Sequence, residues 1–223
     1  MLLYTLIKLL FTNPVMFLVA ILLLIVPLLI SIAFHELAHG YVAYIFGDPT
    51  PKRMGRLTMN PFAHLDPVGT LMLFIIGIGW AKPIIINPDN IQGKTRQMLV
   101  ALAGPAANLL LAIVFTFVLA ILAIHYPDSK NPIIGLIALL ISLVVRVNMI
   151  LAMFNMLPIP PLDGSKVLAW MLPSRLSEYY LRLEPYGMFI LLLIIFTVGF
   201  KFIFDTAVHF QELLFDFVFK LLT

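Results

Sequence analysis

One stretch of this chain restricts its fold more than any other. From Val15 to Phe34 the only polar side chain is Ser31. As a helix, twenty residues rise about 30 Å, the thickness of a bilayer's hydrocarbon core. Lipid offers backbone groups no partners, so a spanning segment must be a helix or a strand of a closed barrel. This run lacks the alternation of a barrel strand and therefore reads as a helix. Comparable runs recur at Met98–Ile124 and Ile133–Leu157. The composition agrees: 62% of the 223 residues are hydrophobic and 11% charged, against about 45–50% and 25% in soluble domains. A wetted globular enzyme is excluded, and so is a disordered chain. The expectation is an all-α polytopic membrane protein, one domain over residues 1–223 with a core at about 15–204. It would have about four transmembrane helices, a re-entrant or short β element after the first span, and interfacial helices at both termini.

Break signals set the boundaries. The first span runs on through Tyr44 until Gly47-Asp48-Pro49, with a kink expected at Pro27. Residues 2–11 are too short to span and read as an interfacial helix. Val68–Trp80 is short and glycine-interrupted, either a thin span or a re-entrant element. Ile84-Ile85-Ile86, between Pro83 and Pro88, reads as a short strand. Pro158, Pro160 and Pro161 stop the third span and force extended backbone into Asp163-Gly164. Gly187–Phe204 makes a fourth span of marginal length. In residues 205–222, Asp205, His209, Glu212, Asp216 and Lys220 share one helix face. No internal repeat and no removable signal peptide are read.

The absence of cysteine removes disulfide, thiolate-metal and cysteine-nucleophile chemistry. The net charge of +3 lies in loops and forms no nucleic-acid stripe. The informative motif is His35-Glu36-Leu37-Ala38-His39. Helix positions i and i+4 stack on one face, so two imidazoles there can hold one metal ion. Glu36 is offset, within reach of a water at the metal without being a ligand. This is the zinc metalloprotease arrangement. Catalytic zinc takes three protein ligands, and the candidates for the third are Asp163, Asp66, His64, His125 and the C-terminal polar face. If 68–86 is re-entrant, Asp163 returns to the metal's side and His125 falls on the other. Charge agrees: Lys52, Arg53, Arg56, Lys82, Lys94 and Arg96 precede the second span, Lys166, Arg175 and Arg182 follow the third, and only Lys130 lies between. The positive-inside rule places the first two groups in the cytoplasm.

From about residue 30 to 200 the chain resembles the site-2 protease family of intramembrane zinc metalloproteases, in particular its small bacterial and archaeal members. The resemblance rests on His35-Glu36-Leu37-Ala38-His39-Gly40, on Ala103-Gly104-Pro105-Ala106-Ala107-Asn108, and on Phe154-Asn155-Met156-Leu157-Pro158-Ile159-Pro160-Pro161-Leu162-Asp163-Gly164. The stretch Gly55-Arg56-Leu57-Thr58-Met59-Asn60-Pro61 through His64-Leu65-Asp66-Pro67 also looks like this group. No PDZ-like insertion or regulatory nucleotide-binding domain is seen. The resemblance implies Zn2+ held by His35, His39 and Asp163, with Glu36 as general base. It points to Asn155 for substrate or oxyanion contact, the alternative being a cap on the broken helix end. Asn108 is either partner to a ligand histidine or packing glue between helices. Arg146, mid-span, must pair, snorkel or face water, and His64 reads as half of a solvated loop pair with Asp66. The implied activity is peptide-bond hydrolysis within or beside transmembrane segments of membrane-anchored substrates. The implied location is the plasma membrane, with the site nearer the cytoplasmic face. Competing classes are a metal transporter using the same ligands transiently and an inactive scaffold that retains substrates.

Overall fold

The computed structural model describes residues 2–76, 79–127, 129–194, 197 and 200–223. Residues 77 and 78 of the expected 68–80 element, and 195, 196, 198 and 199 of the expected 187–204 span, therefore lie outside the described residues. The helices in chain order are α1 (Leu2–Thr12), α2 (Pro14–Ile45), α3 (Thr50–Arg53), α4 (Pro67–Ile76) and α5 (Lys94–His125). They continue with α6 (Pro132–Asn155), α7 (Asp163–Met171), α8 (Ser174–Leu181), α9 (Glu184–Ile194) and α10 (Phe200–Leu222).

Three of these, α2, α5 and α6, are long and apolar enough to cross a membrane. The long helices start where local chemistry says they should. Asn13 accepts from the Met16 N–H at 3.1 Å with Pro14 in the first turn, and Asn131 accepts from Ile133 at 3.0 Å ahead of α6. At 32 residues, α2 is about 48 Å long and exceeds a hydrocarbon core. Its last turns, which carry His35 to His39, continue past the purely apolar stretch. The three helices pack on one another through small buried residues, among them Ala33, Ala101, Gly104 and Ala112. Small residues let helix backbones approach closely where hydrophobic driving force between helices is absent.

α10 joins this core. Ile203, Ala207, Gln211 and Val218 form its buried face, and Ala207 packs with Ala112, Val145 and Met149. The polar face of Asp205, His209, Glu212, Asp216 and Lys220 points away and is exposed. The amphipathic pattern is as read, and its apolar side is docked on α5 and α6. α9 spans eleven residues, about 16 Å.

Between α2 and α5 the chain makes an excursion and comes back. Asp66 caps α4 by accepting from Gly69 N at 2.7 Å. Beyond α4, Ala81 bridges antiparallel to Leu65, and Lys82 N donates to His64 O at 2.9 Å. A Cβ on Gly69 would strike the Trp80 carbonyl. The excursion thus opens and closes at the same place.

The expected strand at Ile84–Ile86 is corrected. Among the described residues there is no strand ladder, only the isolated Leu65–Ala81 bridge. Side chains take the backbone groups that a neighbouring strand would have used. Arg56 donates to the carbonyls of Ala63, Lys82 (2.7 Å) and Pro83 (3.3 Å). Glu36 accepts from Ile84 N at 2.8 Å, and Asp48 accepts from Asn87 N at 2.7 Å. Residues 82–87 form an extended strap tied at both ends and in the middle.

Candidate metal centre

The one-turn spacing on α2 sets His35 Nε2 3.1 Å from His39 Nε2, with ring planes at 85°. The proline-stiffened chain after α6 brings Asp163, first residue of α7, to the same point. Its Oδ2 lies 3.1 Å from His39 Nε2 and 3.3 Å from His35 Nε2. The close fit of α7 under the end of α6 needs Gly164, where any Cβ would meet the Met156 carbonyl. Among the described residues this is the one cluster of three metal-ligating side chains, and all three are buried.

The donor set fits a metal ion. Zinc–ligand bonds of about 2.0–2.2 Å in tetrahedral geometry place ligand atoms about 3.3–3.6 Å apart, slightly wider than the observed triangle of 3.1, 3.1 and 3.3 Å. The proton positions fit as well. His39 Nδ1 lies 2.7 Å from the Val100 carbonyl, and His35 Nδ1 lies 2.6 Å from Asn108 Oδ1. Both partners are oxygens that only accept, so each Nδ1 carries a proton, and each Nε2 keeps a lone pair in the neutral ring. Two imidazole lone pairs and a carboxylate oxygen then face one point, an arrangement that calls for a cation between them. The second carboxylate oxygen, Oδ1, lies 3.7 Å from the exposed Lys166 ammonium.

Space for the ion depends on Gly104. A Cβ there would meet His39 Nε2 and would sit 2.7 Å from His35 Nε2. α5 approaches the motif closely enough that any side chain at 104 would press on both metal-facing nitrogens. In the sequence Gly104 belongs to the Ala103–Asn108 motif that carries the resemblance, but nothing there assigns it this role.

Glu36 is buried beside the ligands, with Oε2 held by Ile84 N. A cavity of about 970 Å³ reaches His35, Glu36, His39 and Asp163, and the strap residues Pro83, Ile84 and Ile86 line it. Asn155 lies on its wall with one amide proton given to Leu151 O at 3.0 Å. That bond runs back one turn within α6. It leaves the second amide proton and the carbonyl oxygen of Asn155 uncommitted.

The rival ligands are elsewhere. His64 is fully buried and its Nε2 donates to Thr58 O at 3.0 Å, so it is no solvated loop residue. Asp66 serves as the α4 cap. His125 is exposed and lies about 32 Å along α5 from Gly104. Arg146 pairs within the bundle, donating to Gln211 Oε1 at 3.1 Å with its guanidinium 6.0 Å over Phe204. Asn108 is a histidine partner and also bridges helices, through Ser31 O and Asn148. The strap's far anchor, Asp48, is fully buried. Burial would raise its carboxyl, but hydrogen bonds from Thr50, Asn90 and Asn87 outweigh this and hold it below the usual carboxylate range.

Comparison with known proteins gives a consistent set of relatives. The model for Peptidase family M50 matches residues 120–198. The chain is 38% identical over 174 residues to "Putative zinc metalloprotease YwhC" of Bacillus subtilis (strain 168), covering 78% of this chain and 79% of that one. It is 28% identical over 190 residues to the similarly named Rip2 of Mycolicibacterium smegmatis, covering 83% of this chain and 71% of that protein. It is 34% identical over 139 residues to the similarly named MJ0611 of Methanocaldococcus jannaschii, covering 61% and 64%. No solved structure matches.

Proposed function

The chain belongs to peptidase family M50, the site-2 protease family of zinc metalloproteases, and on that premise we propose that it hydrolyses peptide bonds within or beside transmembrane segments of membrane-anchored proteins. The observation that carries this reading is the convergence of His35, His39 and Asp163 beside buried Glu36, at a large cavity between membrane-spanning helices. These three residues would hold zinc, which when bound supplies Lewis acidity to activate water and polarise a carbonyl. Glu36 takes the proton from the attacking water and delivers it to the leaving amine. Ile84 N–H holds one oxygen of Glu36 and leaves the other to act. The uncommitted amide proton of Asn155 donates to the oxyanion.

The substrate's helix must unwind before its peptide bond is accessible, because its own hydrogen bonds shield it. The strap is the receiving surface. It is extended, lines the cavity and has no sheet partner among the described residues, which suits β-augmentation by an unwound segment. The excursion through α4 is read as re-entrant, which puts the site nearer the cytoplasmic face of a plasma-membrane protein. This reading is supported by the return of the chain to its starting point and by the basic loops on that side.

The test is cleavage of a transmembrane substrate by the purified, zinc-loaded protein in bilayers. Wild type is expected to cleave, and Glu36→Gln to bind zinc without cleaving. Cleavage that persists in Glu36→Gln refutes the assigned base, and zinc uptake without any cleavage by wild type favours transport or scaffolding. Ile85→Pro or Ile85→Asp should depress cleavage of a helical substrate; unchanged cleavage sinks the strap's role.

A further inference from the structure

We infer that Asn148, on α6, is a positioning residue that sets the tautomer of His35 through Asn108. The inference rests on the reading of His35 as a metal ligand. It comes from following donors and acceptors inward from the far end. Asn148 Nδ2 lies 2.8 Å from the Val144 carbonyl. A carbonyl cannot donate, so the amide nitrogen of Asn148 must face it and Oδ1 must face the other way. That oxygen lies 2.7 Å from Asn108 Nδ2, which also donates to the Ser31 carbonyl at 3.2 Å. Asn108 is thereby left with Oδ1 toward His35 Nδ1, at 2.6 Å. His35 Nδ1 must carry a proton, and in the neutral ring Nε2 keeps the lone pair a metal needs.

No other orientation of the two amides is consistent. Turning Asn148 over sets oxygen against the Val144 carbonyl and nitrogen against nitrogen at Asn108. Turning Asn108 over sets its oxygen against Asn148 Oδ1 and the Ser31 carbonyl, and moves the His35 proton to Nε2, aimed at His39 and Asp163. Ser31, Asn108 and Asn148 are all 0% exposed. No solvent compensates a mismatched contact there, so the full cost of an unpaired buried group applies. His39 is different: its Nδ1 partner is the Val100 carbonyl itself, which cannot turn over. His35 alone depends on a chain of side-chain amides, and the fixed backbone of α6 orients that chain.

The test uses the full-length protein in nanodiscs with 15N-labelled histidine. The His35 signal is identified by its loss in His35→Gln, and the tautomer is read from the 15N shifts of the metal-free protein. Zinc affinity is measured separately by chelator competition. Wild type should show Nδ1–H at His35. Asn148→Leu, or Asn148→Ala if the leucine variant does not fold, should show mixed tautomers at His35 and an unchanged His39. Its zinc affinity should fall about 10–100-fold, as for other residues that orient a metal ligand. Met149→Ala disturbs the same helix interface without touching the amides; it should lose thermal stability while both readouts hold. Wild-type tautomer and zinc affinity in the Asn148 variant overturn the inference. A wild type that takes up no zinc overturns the metal site instead, and the metal-free tautomer still decides the role of Asn148.

Discussion

Gly104→Ala is expected to cost the protein its metal while leaving its fold nearly unchanged. A Cβ at position 104 would sit 2.7 Å from His35 Nε2 and 2.5 Å from His35 Cε1, and would also meet His39 Nε2. A zinc ion would lie about 2.0–2.1 Å from the two nitrogens, so methyl and metal compete for one space. Relieving the contact to ordinary van der Waals distance requires about 1 Å of separation between α2 and α5, or rotation of both rings away from Asn108 and the Val100 carbonyl. Zinc sites tolerate only about 0.2 Å in ligand distance, so the triangle cannot close. Affinity should fall at least about 100-fold. Stability responds differently. Overpacking costs about 1–3 kcal/mol, and replacing glycine by alanine within a helix returns about 1 kcal/mol. The net change is a loss of about 0–2 kcal/mol. The assay is zinc per chain after dialysis against a buffered chelator, beside thermal unfolding of the metal-free protein. Gly135→Ala on α6 is the control, because its Cβ would meet nothing within 4 Å. Wild-type zinc affinity in Gly104→Ala would refute the argument from close approach.

Other consequences can be checked the same way. Glu36→Gln should keep zinc and reduce the cleavage rate by about 10²–10⁴-fold, the range for a lost general base; single-turnover cleavage measures it. Asp48→Ala strands the Asn87 and Thr50 N–H groups and should cost about 3 kcal/mol, read as a lower melting temperature with a loosened strap in hydrogen exchange. Because the Asp48 carboxyl is held below its ordinary value, its contribution is fully present above about pH 3.9 and is lost as pH falls through the lowered value. Acid unfolding of Asp48→Asn should lack that part of the pH dependence. Gln211→Leu breaks contacts of 3.1 Å to Arg146 and 3.0 Å to Ser142 Oγ. It should free α10 to limited proteolysis while zinc binding is retained.

The residues that could be read in advance are those whose geometry is local. A helix places His35 and His39 on one face whatever surrounds it, so the paired ligands and the offset glutamate were visible in five letters. The three long helices were visible for the same reason, since uninterrupted apolar length has few solutions in lipid. Asp163 needed a resemblance, because it lies 124 residues from His39 and its approach depends on how α6 ends. The strap was misread as a strand because apolar β-branched residues between prolines signal extended backbone but not its partner. The partners turned out to be Arg56, Glu36 and Asp48, side chains from other elements. Gly104 and Asn148 were illegible for a further reason. Each acts through a gap or a hydrogen bond between helices, and no periodicity along one helix reports what faces it across the bundle.

The excursion through α4 leaves at His64–Gly69 and is back at Gly79–Lys82. Whatever lies between adds nothing to the net path of the chain. Residues inserted or deleted near the tip would not alter the level at which α5 begins, nor the face from which Gly104 meets the two histidines. The proposed ligands and the Glu36 carboxylate are attached elsewhere, to α2 and α7. Thr70, Leu73 and Trp80 of this excursion line the cavity that reaches the two histidines, so changes here reshape the approach to the site without moving the residues that build it. A lineage could acquire a new set of substrates by remodelling this one hairpin and inherit the rest of the enzyme unchanged.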